Sequence, residues 1–372
     1  MGTAAAALLW LTLYVHGVFA GNWTGLFLHG KDFPLPPDFP SVSKTYFIDG
    51  PGYDGQFYRL IAHDPWLSKG YAASIDAPRI RYRRILVPAL AWALALGNPA
   101  WIEVTYVAVQ LGFLGLGVWW LGNFAILSGR SWRWGLAFAA MPVTILSLHR
   151  NLLDLPMAAL CVGFAYYARE GAPRFLFPVL TAVALCRETG LLLTAAYAFY
   201  CLLHGRWARA MGQTASALPV IAWTAFLSRQ TEDHGIQFLS VPFSGLAARF
   251  LQAKPYNLSP PMELAVQAAD SIALVGVVLA VAVACNLAWR LRDPSALAAG
   301  AFAALAAAIS YPDAWSDLYA FGRWLAPLFL FTAMAAIERR RWVYFLPTLA
   351  LMPRLAMEFA RPVLDVARWL AH

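Results

Sequence analysis

Long apolar runs, broken by short polar ones, set the pattern of this chain. Tyr106 to Leu127 holds 22 residues without a formal charge, and Ser271 to Trp289 holds 19. A helix needs about 20 apolar residues to cross a bilayer core of roughly 30 Å. The succession of such runs predicts an all-α polytopic membrane protein with about eleven transmembrane helices. Residues 1–20 read as an uncleaved first helix, with removal as a signal peptide the competing reading. Neither a repeat nor a low-complexity linker divides the chain, so residues 1–372 read as one membrane domain. Its polar interruptions are residues 21–99, residues 229–266 and the short run from Tyr311 to Tyr319.

Two stretches are too short for ordinary spans. Ile85–Leu96 has 12 residues, so Arg79–Gly97 reads as an interfacial or partly dipping helix that belongs to the first polar loop. Phe175–Leu203 lies between two basic loops and must travel out and back. Its two short arms put Arg187-Glu188-Thr189-Gly190 at an apex within membrane depth, where ionisable groups face a cavity or a partner.

Composition closes off the soluble alternatives. Hydrophobic residues make up 60% and charged residues only 13%. A soluble domain carries about twice that charge. The net charge of +8 does not point to nucleic acid, because the arginines form short clusters between apolar runs and no continuous basic face. Those clusters fix a topology instead. The loops carrying Arg130 and Arg133, Arg169 and Arg174, Arg206 and Arg209, Arg290 and Arg292, and Arg339 to Arg341 are placed in the cytoplasm by the positive-inside rule. Residues 21–99, His149–Asp154, the Arg187 apex, residues 229–266 and Tyr311–Tyr319 then share the extracytoplasmic face. All four cysteines, Cys161, Cys186, Cys201 and Cys285, fall in apolar runs and read as buried thiols.

The residues able to carry chemistry gather on that face. Asp54 follows the turn-rich segment Asp49-Gly50-Pro51-Gly52 and precedes an amphipathic pattern through Tyr58. It can act as a general base or merely cap the helix. Asp49 is the second carboxylate of the segment. Arg81, Arg83 and Arg84, with Arg79, form a basic cluster suited to a phosphate or to anionic headgroups. Arg187 and Glu188 are adjacent and do not face each other on a helix, so each needs its own partner. Asp154 reads as a helix cap or a site carboxylate. Arg323, a lone charge near the start of an apolar run, reads as snorkelling to headgroups or as holding an anion. No spacing demands a metal, although the outer carboxylates have the chemistry for a hard divalent cation, and no cofactor is expected. No phosphate-binding glycine loop or nucleophile elbow occurs.

Taken together, these residues resemble the GT-C superfamily of membrane glycosyltransferases, and most nearly its PIG-V-like mannosyltransferases and their bacterial relatives. Asp54, Tyr58, Ile61 and Ala62 keep the spacing of that group's aspartate motif, with Tyr53 where the group has Trp, and Gly70-Tyr71 follow. Ile85-Leu86-Val87-Pro88 fits its proline-containing segment loosely, and Arg187 with Gly190 matches an Arg-x-x-Gly apex. The likeness covers about residues 45–205. It implies a GT-C-like fold in a bacterial cytoplasmic membrane. It also implies an inverting transferase that moves a hexose such as mannose from a polyprenyl-phosphate donor to a hydroxyl of a lipid or glycan. Asp54 would be the base, and Arg81, Arg83, Arg84, Arg187 and Arg323 are the candidates for the phosphate. A transporter or flippase of a lipid-linked or anionic substrate, and a non-catalytic membrane subunit, are the alternatives.

Overall fold

A computed structural model describes residues 2–40, 42–232 and 241–371. Their regular secondary structure is helical apart from a short parallel strand pair, β1 (His29–Gly30) and β2 (Phe47–Ile48). The helices, in chain order, begin with α1 (Gly2–Phe19), α2 (Gly55–His63), α3 (Pro78–Arg83), α4 (Leu86–Leu94), α5 (Ile102–Leu127) and α6 (Pro142–Leu148). Next come α7 (Asp154–Glu170), α8 (Pro173–Cys186), α9 (Leu191–Leu203), α10 (Trp207–Thr214), α11 (Leu218–Gln230) and α12 (Ser244–Leu251). The last are α13 (Pro260–Leu291), α14 (Pro294–Ala308), α15 (Leu318–Trp324), α16 (Ala326–Arg339), α17 (Leu346–Leu349) and α18 (Met352–Ala371).

The core is built on α7 and α16. Every residue from Asp154 to Ala165 is buried, and so is every residue from Ala326 to Ile337. A helix apolar on all sides belongs inside a bundle. Around α7 pack α5, α6, α8 and α16, with α14 against both α16 and α9. Gly171 ends α7 in the left-handed conformation that glycine adopts at little cost.

Three helices among the described residues are long and apolar enough to cross a membrane: α1, α5 and α13. Their outward faces carry large hydrophobic side chains in the open, among them Leu9, Leu116, Trp119, Ile272 and Val275. Exposed apolar stripes of that length are what a lipid-facing helix carries. The pair α15 and α16 passes the same test together but bends by 61° at the break between them, so the number rises to four if that pair is one span. This is fewer than the eleven expected. Proline explains much of the difference, because it opens α6, α8, α13 and α14 and restarts the backbone after a polar break. The remaining apolar runs become helices such as α8, α9 and α14, of 14, 13 and 15 residues. The buried-thiol expectation holds for Cys161, Cys186 and Cys201, while Cys285 stands exposed on α13.

The segment Phe175–Leu203 has the two short arms its sequence predicts. Thr181 on α8 and Thr194 on α9 both reach Ser216, at 3.3 and 3.5 Å, so the arms lie along the same stretch. A Cβ on Gly190 would overlap the carbonyl of Val183, so the apex closes only with glycine. α4, at nine residues, is as short as its sequence requires.

Charge collects at the two ends of α7. Asp154 occupies its first turn and Arg169 its last. Fifteen helical steps separate them by about 22 Å. At the far end Arg169 pairs with Glu338, and Arg130 donates to the carbonyl of Ile337 at 3.1 Å. Arginines from polar runs distant in sequence therefore meet at one level, away from the cavity described next.

Candidate active site

At the near end lies a cavity of about 910 Å³. Four arginines and four carboxylates, Asp54, Asp76, Glu188 and Asp313, line it, and Asp154, buried behind the lining, joins the chain of contacts. Arg81 donates through Nε and Nη2 to Asp76, at 3.0 and 2.7 Å, and its Nη1 stands 3.0 Å from Asp54. Arg323 donates through Nη2 to Asp54 at 2.8 Å and through Nε to Asp154 at 2.7 Å. Arg187 closes onto the other oxygen of Asp154. Separately, Arg84 grips Glu188 with two bonds of 2.9 and 2.6 Å and reaches the Tyr58 hydroxyl at 3.2 Å. The opposite wall is apolar, formed by Leu305, Ile309, Ala314 and Trp324 with Ile80.

Local structure explains these positions. Asp54 does occupy the N-cap position of α2, yet its side chain makes no cap hydrogen bond. The carboxylate is turned to the guanidiniums instead, which decides against the capping reading. Gly55 lets this turn press on its neighbour, because a Cβ there would overlap the carbonyl of Arg150. On α3 the spacing selects among the arginines. Arg81 and Arg84 are three apart and share a face, whereas Arg83 is two from Arg81 and points elsewhere. Arg83 is absent from the cavity lining, and its buried Nε has no hydrogen-bond partner. The 61° bend carries Arg323 off the axis of α16, where it meets Asp54 and Asp154 and is 8% exposed. It does not snorkel. Asp154, at 1% exposure, is no cap either.

Asp49 is not in this cavity. β2 delivers it beside Lys31, 2.7 Å away, where its side chain is 93% exposed. The two-strand pairing that holds Phe47–Ile48 against His29–Gly30 fixes it there. Tyr58 lies behind the wall as a partner of Arg84 rather than on the surface of the cavity.

Asp76 lay outside the sequence analysis, whereas Arg150 belongs to the His149–Asp154 turn already expected on the same face. Asp76 lines the cavity and binds Arg81 with both oxygens; its one signal was an acid just ahead of the proline that opens α3. Arg150 is stacked between the rings of Tyr53 and Tyr319, 4.5 and 3.4 Å from their centroids. Tyr53 in turn accepts from Arg323 Nη1 at 2.7 Å and donates to the carbonyl of Tyr319 at 3.1 Å. The stack stiffens the side of the ladder that carries Arg323.

Compared with protein-family models, curated proteins and solved structures, the chain matches none.

The electrostatics are therefore read from the site alone. Burial by itself raises the pKa of the Asp54 carboxyl. The Arg81 and Arg323 guanidiniums outweigh it and hold the group well below the usual carboxylate range. Arg84 is held well above its ordinary value, with Glu188 and Tyr58 overcoming the cost of burial. Among the described residues no three His, Cys, Asp or Glu side chains converge as metal ligands do. Each cavity carboxylate of the ladder is bound by arginine. What the arrangement offers is a set of guanidiniums that can exchange one anion for another, beside an apolar wall.

Proposed function

We propose that this protein is a multi-pass membrane glycosyltransferase of GT-C type, transferring a hexose from a polyprenyl-phosphate donor to a hydroxyl acceptor. The observation that carries the reading is the cavity itself. It joins Asp54, Arg81, Arg84, Arg187 and Arg323 to an apolar wall within one space of about 910 Å³. A phosphate with a hydrocarbon tail matches both halves, since guanidinium binds phosphate oxygens in pairs and the wall accepts the chain. The arginine clusters gathered at the far end of α7 support an extracytoplasmic cavity by the positive-inside rule. The setting is a bacterial cytoplasmic membrane.

The chemistry follows from exchange. With no substrate, Asp54 is bound to two guanidiniums, and a carboxylate so held is a weak base. An arriving phosphate competes for Arg81 and Arg323 and loosens their hold. Asp54 then takes the proton of the acceptor hydroxyl. That oxygen bonds to the anomeric carbon as the bond from carbon to phosphate oxygen breaks, with inversion. The leaving polyprenyl phosphate keeps the electron pair, and the arginines stabilise its charge.

Purified protein incubated with polyprenyl-phosphate mannose or polyprenyl-phosphate glucose and native membrane lipid tests this. Loss of donor and appearance of a hexosylated product are expected from wild type and not from Asp54→Asn. An Asp54→Asn protein with full activity overturns the assignment.

A second reading draws on the bent α15–α16 pair and the α8–α9 hairpin, because broken and short helices also build transport sites. Uptake of the intact polyprenyl-phosphate sugar into proteoliposomes, with no transfer product, would favour it.

A further inference from the structure

At the opposite end of the bundle lies a second polar cleft, of about 510 Å³, where α7, α13 and α16 all terminate. Arg169, Arg290, Arg339 and Arg341 line it, with Glu338 as its single carboxylate. Arg169 is paired with Glu338, and Arg339 stands 3.5 Å from Asp293 at the rim. Among the described residues Arg290 and Arg341 have no carboxylate partner, and the buried Nε of Arg339 has no acceptor.

The simplest account is that these arginines only neutralise the helix C-termini. Magnitudes argue against it. Each helix end carries about half a negative charge, so three ends with Glu338 and Asp293 amount to less than the four guanidiniums. Arg292 and Arg340, next to the cleft in sequence, add to the excess. The surroundings are those of a bilayer boundary: Leu287 and Leu291 line the cleft, and Trp289 and Trp342 stand 78% and 63% exposed nearby.

We propose that this cleft binds a phosphate-bearing anion, with the two unpaired guanidiniums of Arg290 and Arg341 as its principal donors. Basic pockets between helix ends at a membrane surface take anionic lipid headgroups. The proposal needs this end to lie at a membrane surface and is independent of glycosyl transfer.

The test is native mass spectrometry and thermal unfolding of the full chain in nanodiscs of phosphatidylcholine alone, or with phosphatidylglycerol. A third arm adds inorganic phosphate to the phosphatidylcholine sample. Retained phosphatidylglycerol with a raised unfolding midpoint is expected, and Arg290→Gln/Arg341→Gln should weaken retention about thirtyfold, the effect of two surface basic groups. Both positions are exposed, so the variant folds. A matching shift with inorganic phosphate alone, lost in the same variant, supports the site and assigns it to free phosphate. The control is Arg133→Gln/Arg174→Gln, which removes the same charge outside the cleft. If the control loses lipid equally, or if neither ligand shifts wild type, the site does not exist. Donor turnover through Asp54 is measured separately, so failure here leaves that reading untouched.

Discussion

Of the buried charge networks among the described residues, one surrounds Asp54 and Asp154 and another surrounds Asp270. They use the same residue types to different ends. Asp270, on α13, receives Arg249 at 2.7 Å, Arg354 at 2.9 Å and the Tyr256 hydroxyl. Arg249 also donates to the Ser316 carbonyl at 3.2 Å, and Lys254 meets Asp317 at 2.7 Å. Asp270 is enclosed, its side chain 1% exposed. It ties the second polar loop to α13 and α18. The Asp54 ladder has equally good pairs, but it faces an open space, and the buried Nε of Arg187 is left unbonded there. A closed network stabilises a geometry, while one with an open side and spare donors has room for a guest.

Substitutions that exchange the two behaviours test this contrast. The largest effect expected is for Asp54→Asn, which should lower transfer about 10²–10⁴-fold, the range for a lost general base. Its unfolding midpoint should fall less than that of Asp270→Asn, because Arg81 keeps Asp76 and Arg323 keeps Asp154. Asp270→Asn should do the opposite. It leaves Arg249 and Arg354 buried against a neutral amide, costing about 3–5 kcal/mol of stability, with turnover per folded molecule retained. If Asp270→Asn instead kills turnover in a fully folded protein, the contrast collapses. Next in size, Arg81→Gln removes a charged bond and should slow transfer about 10–100-fold, whereas Arg83→Gln should change it little.

The pH profile gives a finer reading. The folded pKa of Asp54 is depressed. Its contribution to stability is thus complete above the ordinary aspartate value of about 4 and is lost only as pH falls through the lower folded value. The free protein should therefore show a kcat/KM without an acid limb from about pH 7 to 5. In the complex, with the guanidiniums drawn to phosphate, kcat should acquire one. A limb near pH 6 in kcat/KM would put the base on another group. The smallest effect is expected at the exposed Lys31–Asp49 pair, where Asp49→Asn should leave both rate and midpoint unchanged.

Much of this was legible in the sequence, and the gaps have physical causes. Hydropathy reported α5 and α13, since apolar length is local information. It also gave the α8–α9 arms, because two basic loops bracket a run too short for two full crossings. The common location of Asp54, Arg187 and Arg323 followed from loop charge alone. Which acid holds which arginine did not: Asp54 and Arg323 are 269 residues apart. Asp76 was missed for the same reason, and Asp49 was favoured because composition is blind to the strand that carries it outward. Asp270 carried a readable signal, a lone acid in a long apolar helix. Three helices of full spanning length, or four with the bent pair, stand beside the expected eleven spans, because a proline or a bend divides apolar runs in ways that hydropathy does not register.

The alternation of arginine and carboxylate has a last consequence, for selectivity. Asp54, Asp76, Asp154 and Glu188 match Arg81, Arg84, Arg187 and Arg323 one for one, and Asp313 on the lining adds a fifth carboxylate, so the resting site holds no spare positive charge. Every negative charge a visitor brings must be absorbed at the expense of a resident pair. A phosphodiester brings a single one; a nucleoside diphosphate brings several and would strand as many carboxylates in a poorly hydrated space. The ladder thus sorts anions by valence before it meets their shape.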